Sequence, residues 1–217
     1  KSEAPSRSLY QCRKGVGSMT QYNGALTREQ FLFREIRIVA QLYQQGLSES
    51  DIIERVFSEN LFQYPTERES KGKCKCVLKR LRFIAHSPSL VGLLAEGAVS
   101  EAKQVALVAM MCQSQLLADF MIEVIGEKYR LLDMTLTAKD LNLFFAHLGE
   151  KDEKVAGWSP ATVKKIKCVL TNVLRENGYM EGVRSETLYP VFISDSLEAT
   201  LKEAGLQCYL AAFYRVD

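Results

Sequence analysis

Helical periodicity limits the fold of this 217-residue chain more than any other feature, and it extends almost without interruption from Thr27 onward. Apolar residues recur at helical spacing in successive segments, and capping residues separate these segments. This pattern predicts an all-α, compact multi-helix fold. The predicted helix starts are the capping pairs Thr27/Gln30, Ser48/Asp51 and Thr137/Asp140, then Ser159–Pro160 and Ser194. Pro88 interrupts the helical pattern, and a short helix is predicted around Leu90–Leu94.

The segment 64–85 combines a buried stripe with a basic stripe. As a helix, it places apolar residues from Cys74 to Ala85 on one face and a row of cations on a neighbouring face. Such a row can neutralise phosphates along a nucleic-acid backbone, although a solvated basic surface would give the same pattern. The predicted DNA-contacting row consists of Arg68, Lys71, Lys75, Lys79 and Arg82.

A second basic helix is predicted at 160–177. Its core stripe is Val163, Ile166, Leu170, Val173 and Leu174, and its end is marked by Asn177–Gly178. Cations again occupy the outward positions. The predicted DNA contacts on this helix are Lys164, Lys165, Lys167 and Arg175.

Each basic helix follows a shorter helix, which suggests two helix-turn-helix elements, 49–59 with 66–85 and 138–148 with 160–177. A plain αα-hairpin would show the same order of elements. Two short apolar stretches at 179–193 predict a small hairpin, which would make the C-terminal element a winged variant.

No catalytic or metal-binding motif competes with the basic helices. The chain has two histidines, and neither lies in a ligand pattern. Cys74 and Cys76 flank one residue, which is not a zinc-ribbon spacing, so we expect reduced thiols, no metal and no cofactor. The net charge is only +2, so attraction to an anionic partner must come from local clusters. We therefore expect a protein that is not an enzyme.

The longest apolar stretch, 105–125, is long enough to cross a bilayer but contains Asp119 and Glu123. We therefore predict a buried central helix at about 100–129, no membrane contact and a cytoplasmic location. Residues 1–18 lack helical periodicity and are expected to be an extension or an expression remnant. The remainder divides into 19–98 and 99–217, or forms one continuous globular unit.

Four blocks together resemble the BrxA family of BREX bacteriophage-exclusion systems. They are TREQFLFREIRIVAQLYQQGLS, SENLFQYPTERESKGKCKCVLKRLRF, LLADFMIEVI and GWSPATVKKIKCVLTNVLRENGYM. The resemblance covers nearly the whole chain from Tyr22 onward and includes no catalytic signature.

The resemblance implies an all-α fold related to the NusB antitermination factor, a role in phage defence, and DNA binding. The leading hypothesis is a non-enzymatic accessory protein that binds double-stranded DNA and acts with other BREX proteins. One alternative is an assembly adaptor whose basic stripes meet acidic protein surfaces. A second alternative is an RNA-binding, NusB-like factor.

Overall fold

The computed structural model describes residues 22, 24–28, 30–182 and 184–214, so the predicted extension at 1–18 lies outside these ranges. Within the described residues the chain is all-α, as predicted, with no β-strand and two isolated β-bridges. The described residues divide into two units, one formed by residues 31–113 and the other by residues 22, 24–28 and 30 with 114–182 and 184–214. The predicted domain limits at 18/19 and 98/99 stay predictions.

The first unit, 31–113, is built from α-helices, and both the predicted start at Ser48 and the short helix predicted around Leu90–Leu94 are confirmed. Ser48 and Asp51 form a complete capping box, and the Ser87 hydroxyl accepts the backbone N–H of Leu90. The basic helix, Glu67–Arg82, packs against the helices Phe33–Gln44, Glu49–Ser58 and Val99–Gln113. The helices of the unit are α1 (Phe33–Gln44), α2 (Glu49–Ser58), α3 (Glu67–Arg82), α4 (Pro88–Glu96) and α5 (Val99–Gln113).

The predicted helix start at Thr27 is wrong. Residues Gly24–Arg28 form a 3-10 helix, in which the Thr27 hydroxyl donates to the Gly24 carbonyl at 2.7 Å. Helix α1 begins only at Phe33, after Leu32 has adopted a left-handed conformation with φ 56°. The capping-box pattern did not predict a helix start correctly here, because the Thr27 side chain bonds back within the 3-10 helix that contains it and caps no following helix.

The second unit contains the second basic helix, and the predicted starts at Thr137, Ser159 and Ser194 are confirmed. Gly178, with φ 81°, ends the basic helix as predicted. The elements are α6 (Gln115–Asp119), a π-helical segment (Phe120–Gly126), α7 (Glu127–Arg130), α8 (Ala138–Lys151), α9 (Glu153–Ala156), α10 (Pro160–Glu176), α11 (Asp195–Glu203) and 3-10 helices at Gly24–Arg28 and Gln207–Ala212.

The predicted continuous helix at 100–129 is broken at Ser114. The Ser114 hydroxyl accepts the backbone N–H of Leu117, so this residue caps a new helix instead of continuing α5. Most of the apolar residues on either side of the break are buried, as predicted. Among the described residues no single helix meets the length and hydropathy of a membrane span, and only the pair 99–113 and 115–130 taken together does so.

The predicted hairpin after α10 forms no strand ladder in the part that the structure describes. One backbone hydrogen bond, from Tyr189 N to Tyr179 O at 2.9 Å, joins its two halves. Residues 186–188 pair instead with residues 134–136, through Leu136 N to Glu186 O at 2.7 Å and Leu188 N to Met134 O at 2.9 Å. The winged and NusB-like details of the fold therefore stay unconfirmed.

Candidate nucleic-acid interface

Helix α3 buries one face in the first unit and presents the other face outward. Thr66 caps the helix, since its hydroxyl accepts the backbone N–H of Glu69 at 3.2 Å. Desolvation raises the pKa of the Cys74 thiol to about 12, with a smaller effect from the charge of Glu49, so this cysteine stays protonated at neutral pH. The buried face is formed by Cys74, Val77, Leu78 and Leu81, as predicted.

Two cations of the predicted α3 row are already engaged with acidic residues of the same chain. Lys71 forms an ion pair with Glu67, and its Nζ lies 4.8 Å from the centroid of the Phe57 ring. Arg82 donates to both carboxylate oxygens of Glu49, at 2.7 and 2.5 Å. The hydrogen bond from Arg82 lowers the pKa of Glu49 and keeps this carboxylate ionised. A phosphate would have to displace these carboxylates.

The other three cations of the row are exposed, and none forms an ion pair with a described residue. Arg68, Lys75 and Lys79 are spaced i, i+7 and i+11, which places them on one face of the helix. At a rise of 1.5 Å per residue, the line from Arg68 to Lys79 is about 16 Å long. This line is the part of α3 that can meet phosphates without breaking an internal contact.

Helix α10 carries a second set of exposed cations in the second unit. The Ser159 hydroxyl accepts the backbone N–H of Thr162 at 3.2 Å, and Pro160 occupies the first helical position. Its core face packs against the 3-10 helix Gly24–Arg28. Of the predicted core stripe, Val163 is only partly buried, and the fully buried residues are Ile166, Leu170, Val173 and Leu174.

Three of the four cations predicted on α10 are exposed: Lys164, Lys165 and Arg175. No described residue forms an ion pair with any of them. Lys164 and Arg175 are separated by eleven positions, the same spacing as Arg68 and Lys79 on α3. Lys164 and Arg175 therefore share one face over about 16 Å, and Lys165, the residue after Lys164, flanks this face.

Lys167 differs from the other α10 cations because it is half-buried against α8. Its ammonium donates to Asn142 Oδ1 at 2.5 Å and lies 5.3 Å from the centroid of the Phe145 ring. Desolvation lowers the pKa of Lys167. Its predicted role as a DNA contact stays a prediction, and its contacts give it a second role in joining α10 to α8.

Arg80 is a structural residue to which the sequence pattern assigned no role. Its side chain is fully buried, and it donates to Gln113 Oε1 at 2.9 Å and to the Phe31 carbonyl at 2.6 Å. Its position could have been inferred, because it lies three residues after Val77 and four before Ile84, within the buried stripe. A basic residue at that spacing is a candidate for a buried cation.

The connections around the basic helices are longer than those of a simple helix-turn-helix. Residues 59–66 link α2 to α3, and the link between α8 and α10 contains the short helix α9. The turn in this motif typically has three or four residues. The helix-turn-helix assignments therefore stay predictions.

No other chemistry stands out in the described part of the chain. It contains no group of three or more His, Cys, Asp or Glu side chains that could hold a metal ion. Its cysteines are free thiols, and Cys12 lies outside the described residues. The exposed cations on α3 and α10 are accordingly the best candidates for a binding site in the described residues.

Comparisons with known proteins agree with the sequence blocks. The family model for BrxA matches residues 20–205. A protein from Bacillus cereus (strain H3081.97), named BREX protein BrxA, is 32% identical over 161 residues, which cover 74% of this chain and 80% of that protein. A protein of the same name from Escherichia coli O9:H4 (strain HS) is 26% identical over 204 residues, covering 93% and 95%.

A solved structure supports the fold. The crystal structure of an uncharacterized protein from Magnetospirillum magneticum superposes with a TM-score of 0.75 at 23% sequence identity. The match covers 90% of this chain and 100% of that chain. Similarity at this level of identity shows a shared all-α fold.

Proposed function

Because the chain belongs to the BrxA family, we propose that it is a non-enzymatic accessory protein of a BREX phage-defence system that binds double-stranded DNA. The observation that carries the proposal is a set of exposed cations with no ion pair to a described residue. These cations are Arg68, Lys75 and Lys79 on α3, and Lys164, Lys165 and Arg175 on α10.

The chemistry of these residues favours contacts to the DNA backbone. Four of the six are lysines, which act as flexible point charges and suit phosphates. Arginine, with its planar fork, is the side chain that reads guanine edges most often, and the set holds only two. We therefore expect little preference for DNA sequence.

The number of exposed cations sets the expected dependence on salt. Each phosphate contact on duplex DNA contributes a slope of about −0.9 to a plot of log affinity against log salt concentration. Three phosphate contacts from one helix correspond to a slope of about −2.7, and six contacts from both helices to about −5. The slope therefore reports whether one or both helices contact the DNA.

An assembly adaptor is the second candidate, and the ion pairs on α3 favour it. Lys71 with Glu67 and Arg82 with Glu49 give this helix a surface of mixed charge. Mixed charge suits a protein partner, because charges of both signs can find complements and set the register of docking. A phosphate backbone can use only the cations.

A binding comparison separates the candidates. Fluorescently labelled duplex DNA, one of its single strands and a duplex RNA of the same sequence are each titrated with the protein at 50 and 200 mM salt. We expect duplex DNA to bind at low salt and to lose most of its affinity at high salt. Equal affinity at both salt concentrations would contradict phosphate-dominated binding. Preference for RNA would favour the RNA-binding alternative, and absence of binding to any nucleic acid would favour the adaptor.

A further inference from the structure

Four of the eight large apolar side chains that remain exposed in the described part of the chain lie around one β-bridge of the second unit. Single exposed apolar residues are normal, but a cluster of this kind often marks an interaction site. We call these four residues the apolar patch: Leu131, Leu132, Tyr189 and Phe192, which are 62%, 71%, 37% and 57% exposed.

Backbone pairing brings the two halves of the apolar patch together. Thr135 pairs in antiparallel fashion with Thr187. Hydrogen bonds on either side of this bridge, from Leu136 N to Glu186 O at 2.7 Å and from Leu188 N to Met134 O at 2.9 Å, hold the two chain segments that carry the patch side by side. The Tyr129 hydroxyl strengthens the same junction, since it donates to the Tyr189 carbonyl at 2.6 Å and accepts the backbone N–H of Val191 at 3.3 Å.

Edge-to-face contacts between aromatic rings support Phe192 on one side. The centroid of its ring lies 5.2 Å from that of Tyr214, which in turn lies 5.3 Å from the ring of the buried Tyr129. Phe192 is thus held on one side while more than half of its surface stays exposed. An aromatic side chain fixed in this way is suited to anchor a partner, because little conformational entropy remains to be lost on binding.

The backbone of Leu132 gives an independent indication. Its φ is 55°, and the bonds from Leu132 N to Tyr129 O and from Asp133 N to Lys128 O form the C-terminal end of α7. Glycine is preferred at such a position, and the ends of α1, α10 and α11 use Gly46, Gly178 and Gly205. A leucine here costs backbone strain and remains largely in solvent. Contacts within the described residues therefore do not explain why a leucine occupies this strained position.

We propose that the apolar patch binds a segment of another protein that presents apolar anchors flanked by basic residues. The acidic residues along the same chain segment supply the charge complement. On the segment that carries Tyr189 and Phe192, Glu181, Glu186 and Asp195 are exposed, against the exposed cation Arg184. On the segment that carries Leu131 and Leu132, the cations Arg130 and Lys128 are ion-paired with Glu127 and Asp133. The same acidic residues disfavour nucleic acid.

A second copy of this chain fits the patch less well. The four side chains expose on the order of 400 Å², about half of the ~800 Å² per partner that a standard stable interface buries. A two-fold contact through the patch would also bring the acidic residues of both copies together. A short basic segment would bury the patch and compensate these charges.

A selection with a peptide library tests the proposal. A displayed library of random 12-residue peptides is panned against the full chain and, in parallel, against the double variant Leu132→Ser/Phe192→Ser. Leu143→Ser is the control, since Leu143 is an exposed leucine of α8 outside the patch. We expect the enriched peptides to carry large apolar residues with flanking Lys or Arg. They should bind the double variant at least about tenfold more weakly and the control as well as the parent.

The remaining measurements make the result decisive. Replacing the basic residues of a selected peptide by Glu should abolish its binding, and the double variant should bind duplex DNA like the parent, which separates this site from the DNA surface. If the double variant is unfolded by circular dichroism, Leu132→Gly replaces it. The proposal is overturned if no enriched peptide depends on the patch, or if such peptides lack basic residues. A dimer in sedimentation that the double variant loses would overturn it in favour of a second copy.

Discussion

Lys79 and Arg80 are adjacent basic residues of α3 with opposite environments. Lys79 is exposed in the outward line of cations, whereas Arg80 is fully buried and donates to Gln113 and to the Phe31 carbonyl. Buried acceptors that lose their donor cost free energy, while an exposed lysine makes few contacts to lose. Substitution of Arg80 should therefore affect the stability of the protein, whereas substitution of Lys79 should affect its binding to DNA.

The first prediction compares the variants Arg80→Met and Lys79→Met. Arg80→Met should lower the free energy of unfolding by about 2–4 kcal/mol, because the buried hydrogen bond to the Phe31 carbonyl and the partly buried one to Gln113 are lost. Lys79→Met should change it by less than about 0.5 kcal/mol and should weaken binding to duplex DNA instead. Urea denaturation and fluorescence anisotropy measure the two effects. An unchanged urea midpoint for Arg80→Met would show that its buried contacts do not stabilise the first unit.

Individual residues are predictable from sequence when their spacing decides their environment. The exposed positions of Arg68, Lys75, Lys79, Lys164 and Arg175 follow from helical periodicity. The polar partners of the cations were not predictable from the sequence. Arg82 forms an ion pair with Glu49 of α2, and Lys167 donates a hydrogen bond to Asn142 of α8. Such contacts depend on how helices pack, which periodicity does not specify.

At the scale of the elements, Lys128 ties the end of α7 to the start of α8. Its ammonium lies 2.8 Å from Asp133 Oδ2 and 3.3 Å from Asp140 Oδ2, and its side chain is only 11% exposed. Hydrogen bonds from Lys128 and Thr135 lower the pKa of Asp133 to about 2. This carboxylate therefore stays charged in the folded state at a pH where it would be protonated in the unfolded chain.

The second prediction is a pH dependence of stability. Since the pKa of Asp133 is lower in the folded state, its contribution is fully present above about pH 4 and is lost as the pH falls towards about 2. Asp133→Asn should flatten the decline of the unfolding free energy across this window. The control Glu150→Gln removes an exposed carboxylate of α8 and should leave the decline unchanged. Urea denaturation between pH 2 and 5 gives the comparison, and equal declines in parent and Asp133→Asn would contradict the prediction.

The third prediction concerns the left-handed residue at the end of α7. Leu132→Gly should raise the free energy of unfolding by about 1 kcal/mol, because glycine adopts a positive φ without steric strain. Leu131→Gly is the matched control: with φ −89° it gains nothing and should be neutral or destabilising. Thermal unfolding followed by circular dichroism measures both variants. A lower midpoint for Leu132→Gly than for the parent would show that the leucine contributes packing at this position.

Elements with a local stop or start signal could be predicted, and elements limited by tertiary packing could not. The caps at Ser48, Thr137, Ser159 and Ser194 are confirmed, because each hydroxyl bonds a backbone N–H within three residues. The predictions at Thr27 and around Ser114 were wrong, although both residues carry a hydroxyl of the same kind. Thr27 closes a 3-10 turn, and Ser114 starts a new helix inside an apolar stretch that reads as continuous.

At the scale of the whole molecule, the all-α class followed from periodicity, while the long-range pairings did not. Residues 134–136 pair with 186–188, which are about fifty positions away in the sequence. A hairpin between neighbouring segments was the simpler expectation, because its loop is shorter. The sequence blocks that resemble BrxA extend along both units, and the family match over residues 20–205 confirms that resemblance.

The central claim is that exposed cations on both basic helices bind duplex DNA. Two triple variants test it: Arg68→Glu/Lys75→Glu/Lys79→Glu on α3 and Lys164→Glu/Lys165→Glu/Arg175→Glu on α10. The control Lys139→Glu/Lys151→Glu/Lys154→Glu makes the same change in net charge at exposed lysines of α8 and α9. All three should keep the helical content of the parent, because the changed residues lie outside the core.

The most direct measurement is the affinity for a labelled duplex between 50 and 200 mM salt, determined by fluorescence anisotropy for the parent and the three variants. We expect the parent to show a negative slope of about 2.7 or more in magnitude, and a binding loss of about tenfold or more for each triple variant on α3 or α10. The control should keep most of the parent's affinity and its slope. If all three folded variants bind duplex DNA as the parent does, neither basic helix is the DNA surface, and the central claim is wrong.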